Sequence, residues 1–189
     1  MMALPPGYMI RPGVPADAPA MLALITANLE VGHLLPRTLD DLTRHAHRFL
    51  VMTHDEVIVG CAELAPLSGT VAEVRSLVID AAHRGKGLGP QLIDALSRKA
   101  RVEQFGTLCA FTHDAAHFVR LGFTIVPHPW LPEKIATDCR VCPKFRVCGQ
   151  YAVALPLRGT AVGSMTSTRT SRRAAQPRTA GESVLVLHR

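Results

Sequence analysis

Residues 84–89, Arg-Gly-Lys-Gly-Leu-Gly, place three glycines and two cations directly before an apolar helical pattern. Glycine lets successive backbone N–H groups turn toward one point, and the first N–H groups of a helix have no partner inside it. Pro90 is expected at the first helical position, where the missing N–H of proline costs no hydrogen bond. A loop of this kind binds an anion, and its spacing predicts a pyrophosphate ligand. We call residues 84–89 the glycine loop.

Two known phosphate-binding patterns do not fit the glycine loop. The P-loop requires Gly, four residues and then Gly-Lys-Ser/Thr, and residues 85–91 lack that spacing. The dinucleotide fingerprint requires a strand–loop–helix unit near the start of the domain and an acidic residue about 20 positions later. Glu103 stands near that offset, but three strand-like segments precede the loop. A pyrophosphate carried by another kind of ligand is therefore favoured.

The elements that must position this loop form a mixed α/β pattern. Asp17 and Thr38 are expected to cap the first two helices, and Asp55-Glu56 to form the tight turn of a hairpin. The helix after the loop is expected to bury one apolar face, formed by Leu92, Ile93, Leu96, Ala100 and Val102. In chain order we expect strand, two helices, three strands, helix, strand, helix and two strands (8–11, 16–30, 38–46, 48–54, 57–64, 70–80, 90–103, 107–112, 113–121, 123–127 and 150–157).

The glycine loop and its surroundings resemble the GNAT-type N-acetyltransferases. Arg-x-x-Gly-x-Gly between a strand and an amphipathic helix is similar to the acetyl-CoA signature of that family, and residues 117–123 are similar to its late helix ending in Gly-Phe. The resemblance implies one α/β (α+β) domain over 1–157, with a mixed central sheet and flanking helices. It also implies acetyl-CoA as co-substrate. The residues that it implies for the pyrophosphate are Arg84, Gly85, Lys86, Gly87, Leu88 and Gly89, and those that it implies beside the pantetheine arm are Leu77, Val78 and Ile79.

Four further segments resemble the acetyltransferase domain of short bacterial N-acetylglutamate synthases (32–42, 59–64, 72–80 and 131–145). The resemblance implies acetylation of the α-amine of L-glutamate, in arginine biosynthesis. Arg37 is then the first candidate for binding the acceptor, followed by Lys144 and Arg146. A planar guanidinium binds a carboxylate in bidentate fashion, which suits a dicarboxylic acceptor, and Arg75 offers a further cation. A different amine acceptor, or a non-catalytic acyl-CoA-binding module, remains an alternative.

Glu73 is the candidate catalytic base. Amine acetylation needs a neutral amine, a polarised thioester carbonyl and a proton for the departing thiolate. Glu73 alternates with Arg75, so both side chains are expected on one face of a strand, where a purely structural ion pair is the alternative role. A backbone N–H near Val78 is expected to polarise the thioester. Many relatives place a general-acid tyrosine in the late helix, as the second residue of a Phe-Tyr pair. The corresponding pair here is Phe118-Val119, so this tyrosine is absent.

Three cysteines form a C-x2-C-x5-C pattern at Cys139, Cys142 and Cys148. Thiolates at this spacing bind zinc or iron–sulfur clusters, but a structural zinc site needs a fourth ligand, for which His128 or Asp138 are candidates. A single C-x2-C pair favours reduced thiols in a loop, so we expect no metal; a redox or metal loop is the alternative. The two other cysteines, Cys61 and Cys109, are expected in strands as small core residues.

Charge and composition exclude several classes of protein. The 189 residues carry a net charge of +6, of which the segment 158–189, with six arginines and one acidic residue, supplies +5. Residues 1–157 therefore carry a net charge of only +1, which does not indicate a nucleic-acid-binding domain. The arginine-rich segment 158–189 predicts a disordered tail. No apolar run approaches the ~18 residues of a membrane span. Five cysteines without a secretion signal predict the reducing cytoplasm, and a homodimer is compatible with the sequence.

Overall fold

The computed structural model describes residues 4–30 and 34–157, which form a mixed seven-stranded sheet with helices on both faces. The strands run in the order β1-β2-β3-β4-β5-β7-β6, and β4 with β5 is the parallel pair. Their bounds are β1 Tyr8–Pro12, β2 Phe49–His54, β3 Val57–Pro66, β4 Val71–Ile79, β5 Thr107–Thr112, β6 Thr124–Val126 and β7 Tyr151–Pro156. The predicted mixed α/β domain is confirmed, whereas the predicted tail over 158–189 lies outside the described residues.

The helices follow the predicted order, with one addition. They are α1 Ala18–Ala27, α2 Leu39–Arg44, α3 Leu88–Val102, α4 Ala115–Val119 and α5 Pro132–Thr137. The sequence predicts no helix where α5 forms. Thr38 caps α2 as predicted, since its hydroxyl accepts the N–H of Asp41 at 3.1 Å. Asp17 precedes α1 without capping it, because its carboxylate instead binds Arg11 at 2.7 and 2.8 Å.

The core lies on both faces of the sheet. On one face, α3 packs Leu92, Ile93, Leu96 and Ala100 against the central strands, and each is at most 2% exposed. Val102 is 81% exposed, so its assignment to this apolar face is wrong. At 3.6 residues per turn, it lies about 200° around the helix from Ala100. Helices α1 and α2 cover part of the opposite face. Within the described ranges, no helix is long and apolar enough to cross a membrane.

Strands β4 and β5 pair over only three residues, Val71–Glu73 with Thr107–Cys109. Beyond Glu73, β4 continues to Ile79 with no further pairing to β5 in the described chain. A bulge also interrupts β4, because Cys61 and Glu63 of β3 face Val78 and Arg75, which leaves one extra residue in β4. Ser76 lies in that extra stretch with a φ of 50°. Bulges bend a strand and redirect its side chains, so β4 is reshaped where it leaves β5.

Candidate active site

The glycine loop opens α3 with a left-handed residue at its N-cap. Gly85 and Gly87 have φ values of 77° and 74°, which an L side chain rarely adopts, and α3 begins at Leu88. The sequence predicts Pro90 as the first residue of the helix, but it is the third. A Cβ added at Gly85, Gly87 or Gly89 would meet no atom within 4 Å, so the space above the loop is open. The first N–H groups of a helix have no partner inside it, and such a helix start beside open space fits a phosphate ligand.

The two cations of the loop have different surroundings. Arg84 donates to the side-chain oxygen of Asn28, a buried residue after α1, and to the carbonyl of Ile79 at 3.0 Å. This guanidinium therefore ties the loop to its neighbours. Lys86 is exposed, and its Nζ lies 2.9 Å from the hydroxyl of Tyr8. Arg84 is exposed as well, so both cations of the loop face solvent.

The predicted pantetheine strand lies at the end of β4. Leu77 and Ile79 pack partly against the α3 core, whereas Val78 is buried on the opposite face. All three belong to the stretch of β4 that has separated from β5. Backbone groups along such an unpaired edge can pair with an extended ligand as they would with another strand. The residues present therefore fit the acetyl-CoA arm that the sequence predicts.

Glu73 lies in a partly buried network of four charges, which we call the Glu73 cluster (Glu73, Arg75, Lys134 and Asp138). Glu73 is 3% exposed, and its carboxylate accepts from Arg75 Nε at 2.6 Å and from Lys134 Nζ at 2.8 and 2.9 Å. Asp138 accepts from Lys134 at 2.8 Å and also pairs with Arg75. Burial lowers the pKa of Arg75, but the charge and hydrogen bond of Glu73, with the charges of Asp138 and Glu63, outweigh it, so that the pKa lies above its ordinary value.

Lys134 is a site residue that the sequence did not identify. The sequence predicts no helix at this position, whereas α5 brings its ammonium onto both oxygens of Glu73 and over the ring of Phe111, 5.1 Å from the centroid. Two local features of the sequence could have identified Lys134. Pro132 suits a first helical turn, and Lys134 stands four residues before Asp138, a spacing that forms ion pairs on a helix.

Arg37 lies in a second charged network, the Arg37 cluster (Arg37, Asp41, Glu63 and Ser76). Its guanidinium donates to Glu63 at 2.6 Å, to Asp41 at 2.6 Å and to the Ser76 hydroxyl at 3.1 Å. Burial lowers the pKa of Arg37, but its bonds to Glu63 and Asp41 more than offset this, and the pKa lies above its ordinary value. Glu63, only 2% exposed, is the second residue that the sequence did not identify.

The two clusters are neighbours on the sheet, because Glu63 of β3 and Arg75 of β4 are cross-strand partners. The structure thus brings together three of the predicted site residues, Arg37, Glu73 and Arg75. It does not join Lys144 and Arg146 to them. Both are exposed, on a segment of short turns after α5, and neither has an ion-pair partner among residues 4–30 and 34–157. Their role in binding the acceptor stays a prediction.

The five cysteines fall into two groups. Cys61 and Cys109 are fully buried in β3 and β5, and burial raises the pKa of each thiol to about 12. Cys139 is half-buried, while Cys142 and Cys148 are exposed. Across the described part of the chain, no three His, Cys, Asp or Glu residues are arranged to hold a metal ion. The buried pair is consistent with the predicted core role.

These environments predict selective alkylation. We expect iodoacetamide to modify Cys142 and Cys148 first, then Cys139, and to leave Cys61 and Cys109 unmodified in the folded protein. The thiolate is the reactive form, and a pKa of about 12 leaves only about one thiol in 10⁴ ionised at pH 8. Peptide mass spectrometry measures each site. All five should react in guanidinium, and rapid native labelling of Cys61 would contradict its burial.

Comparisons with known proteins agree with this geometry. Residues 21–123 match the acetyltransferase (GNAT) family. The chain is 28% identical over 142 residues to an uncharacterized N-acetyltransferase of Chlorobaculum tepidum, covering 75% of this chain and 92% of that protein. It is 30% identical over 137 residues to an amino-acid acetyltransferase of Mycobacterium tuberculosis, covering 70% and 78%. The N-acetylglutamate synthase from Neisseria gonorrhoeae, complexed with coenzyme A and N-acetyl-glutamate, has a TM-score of 0.73 at 26% identity over 84% of this chain.

The fold and these comparisons define an acyltransferase that uses acetyl-CoA. The chain belongs to the GNAT acetyltransferase family. Its relatives include amino-acid acetyltransferases at moderate identity. The chain spans 36% of the length of the Neisseria synthase and 26% of the Pseudomonas putida amino-acid acetyltransferase. An acetyl-CoA-dependent N-acetyltransferase is therefore the class of this protein, and it replaces the non-catalytic alternative.

Proposed function

We propose that this acetyltransferase acetylates the α-amine of L-glutamate and so supplies N-acetylglutamate for arginine biosynthesis. The observation that carries the proposal is the pair of charged clusters beside the point where β4 leaves β5. There, Arg37, Arg75 and Lys134 converge around the buried Glu63 and Glu73 carboxylates. The similarity to amino-acid acetyltransferases supports the same acceptor class. The cytoplasmic location that the cysteine content predicts is part of this proposal.

The partners of these cations indicate how two acceptor carboxylates would bind. Glu63 and Glu73 are nearly inaccessible, but the side chains of Asp41 and Asp138 are 35% and 36% exposed. These two aspartates hold the outer, solvent-facing contacts of Arg37 and Arg75. An incoming acceptor can exchange its own carboxylates for those of the aspartates, because one carboxylate–guanidinium contact replaces another of the same type. The aspartates then return to solvent, where ionised carboxylates are well hydrated.

The proposed chemistry assigns one step to each group. Bound acetyl-CoA supplies the acetyl group as a thioester. Glu73 accepts a proton from the acceptor's amine, directly or through one water, and leaves the nitrogen lone pair free to form the new amide bond. A backbone N–H near Val78 donates to the thioester oxygen as negative charge develops on it. Because Val119 stands in the late helix where many relatives have a general-acid tyrosine, water supplies the proton for the departing thiolate.

A cationic amine acceptor is the second candidate, and the charge balance favours it. The two clusters contain three cations, Arg37, Arg75 and Lys134, and four carboxylates, Asp41, Glu63, Glu73 and Asp138. A site with an excess of carboxylates attracts a polyamine through its positive charge. It binds a dicarboxylate only if the aspartates exchange. The two candidates therefore predict opposite effects of removing one aspartate charge.

The test compares acceptors in a thiol-release assay with wild-type protein and Asp138→Asn. With L-glutamate we expect the highest kcat/KM among L-glutamate, L-glutamine, L-aspartate and spermidine. Asp138→Asn should lower the KM for L-glutamate about fivefold, because Arg75 and Lys134 lose a competing carboxylate. Preference for spermidine, together with a higher spermidine KM in Asp138→Asn, would overturn the glutamate proposal and establish the cationic acceptor.

A further inference from the structure

A cluster of polar side chains lies beside the glycine loop on the first strand and has no part in the chemistry proposed above. Tyr8, on β1, is 7% exposed. Its hydroxyl lies 2.8 Å from His83 Nδ1 and 2.9 Å from Lys86 Nζ. His83 precedes the loop and Lys86 belongs to it, so one buried phenol joins the edge of the sheet to the loop that fits the pyrophosphate.

The donors and acceptors of this contact can be assigned from their chemistry. An ammonium has three N–H donors and no acceptor, so Lys86 donates and the Tyr8 oxygen accepts. The hydroxyl hydrogen of Tyr8 is then free to point at His83 Nδ1. With that orientation Nδ1 is the unprotonated nitrogen of a neutral imidazole. The chain of hydrogen bonds therefore runs from Lys86 through Tyr8 to His83.

The ring of Tyr8 is itself fixed by packing. His54 lies against it with ring centroids 4.4 Å apart, and the His83 ring meets it edge-on at 5.7 Å. The Lys86 ammonium lies 5.5 Å from the Tyr8 centroid, on the side of the hydroxyl. A lysine side chain otherwise samples many rotamers, and binding a ligand would have to order it. Here the cation is ordered by its contact with Tyr8.

We propose that Tyr8, oriented by His83, is a positioning residue that holds the Lys86 ammonium ready for a phosphate group of acetyl-CoA. One N–H of Lys86 binds Tyr8 and two remain for phosphate oxygens. Prior ordering of a binding group strengthens ligand binding, because less conformational freedom is lost when the ligand arrives. The phosphate is either in the pyrophosphate or at the 3′ position of the nucleotide, and both offer the same anionic oxygens. The proposal rests on acetyl-CoA use and not on the identity of the acceptor.

The consequence is a defect in co-substrate binding without a defect in turnover. Tyr8→Phe removes one hydroxyl and keeps the ring, so we expect the KM for acetyl-CoA to rise about fivefold with kcat unchanged. Lys86→Met should raise this KM more, about twentyfold, since the charge itself is lost. In the Lys86→Met background, Tyr8→Phe should have no further effect. That non-additivity distinguishes positioning of Lys86 from general support of the fold.

Controls and a second co-substrate complete the test. Tyr151, the only other tyrosine in the sequence, is exposed on β7. Tyr151→Phe should therefore leave the KM for acetyl-CoA unchanged. His83→Phe keeps an edge-on ring but removes Nδ1, and should raise the KM for acetyl-CoA about twofold. With 3′-dephospho-acetyl-CoA, the Tyr8→Phe effect disappears if Lys86 binds the 3′-phosphate and persists if it binds the pyrophosphate. Equal Tyr8→Phe effects in the wild-type and Lys86→Met backgrounds, or no effect in either, would overturn the proposal.

Discussion

Glu73→Gln is expected to lower kcat at least 100-fold, with little change in the KM for acetyl-CoA. A positioned general base contributes about 10² to 10⁴ in rate, and glutamine has no basic oxygen to accept the amine proton. Glutamine has the same shape, so the hydrogen bond from Arg75 to the side-chain oxygen can persist. The measurement is initial-rate thiol release at saturating acetyl-CoA, with L-glutamate as acceptor.

The loss of activity must be separated from the loss of an ion pair. Removing the Glu73 charge leaves Lys134, whose side chain is 11% exposed, with Asp138 as its remaining partner. We expect the free energy of unfolding to fall by about 3 kcal/mol, at the low end for a broken buried pair, because Asp138 is still present. Urea denaturation measures this cost. The double variant Glu73→Gln, Lys134→Met removes both charges and is expected to regain most of the stability.

The double variant decides between the two roles of Glu73. If Glu73 is the base, kcat stays low when stability returns. If Glu73 is only a structural ion-pair partner, kcat recovers in the double variant, and the base assignment is wrong. Asp17→Asn is a matched control, since it also replaces a buried, arginine-paired carboxylate by an amide, far along the chain from Glu73. It should reduce stability and leave kcat unchanged.

Local patterns predicted most of the fold. The hairpin turn needs two adjacent left-handed residues, and Asp55 and Glu56 adopt φ values of 47° and 66° there, as short polar turns between apolar runs commonly do. The order of strands and helices follows from such short-range signals. The boundaries were less accurate. Pro90 was expected to start α3, but Gly87 supplies the N-cap because its left-handed conformation lets the helix begin two residues earlier.

The candidate site could be predicted only in part, because its contacts join distant segments. Glu73 and Arg75 are two residues apart on one strand, so alternation placed them on the same face. Lys134 and Glu73 are 61 residues apart, and Arg37 and Glu63 are 26 apart. No local pattern specifies which cation meets which carboxylate across such distances. No carboxylate partner of Arg37 was therefore predicted, whereas the fold supplies it with Glu63 and Asp41.

Arg37→Met is expected to have two large effects that separate in a double variant. Arg37 donates to Glu63, which is 2% exposed, so the substitution leaves a buried carboxylate without this cation. Breaking a buried pair from one side costs about 3–5 kcal/mol, which urea denaturation measures. The KM for L-glutamate should also rise at least about tenfold, because a bidentate carboxylate contact is lost, while the KM for acetyl-CoA stays unchanged.

Adding Glu63→Gln to Arg37→Met removes the stranded charge and is expected to restore most of the stability. If Arg37 binds the acceptor, the KM for L-glutamate remains raised in this stable double variant, because no guanidinium is present to meet the acceptor's carboxylate. If the KM returns to the wild-type value, Arg37 only neutralises Glu63, and the acceptor is bound elsewhere. Lys144 and Arg146 would then be the cations to substitute next, since their exposed side chains are available to a ligand without the exchange of a carboxylate partner.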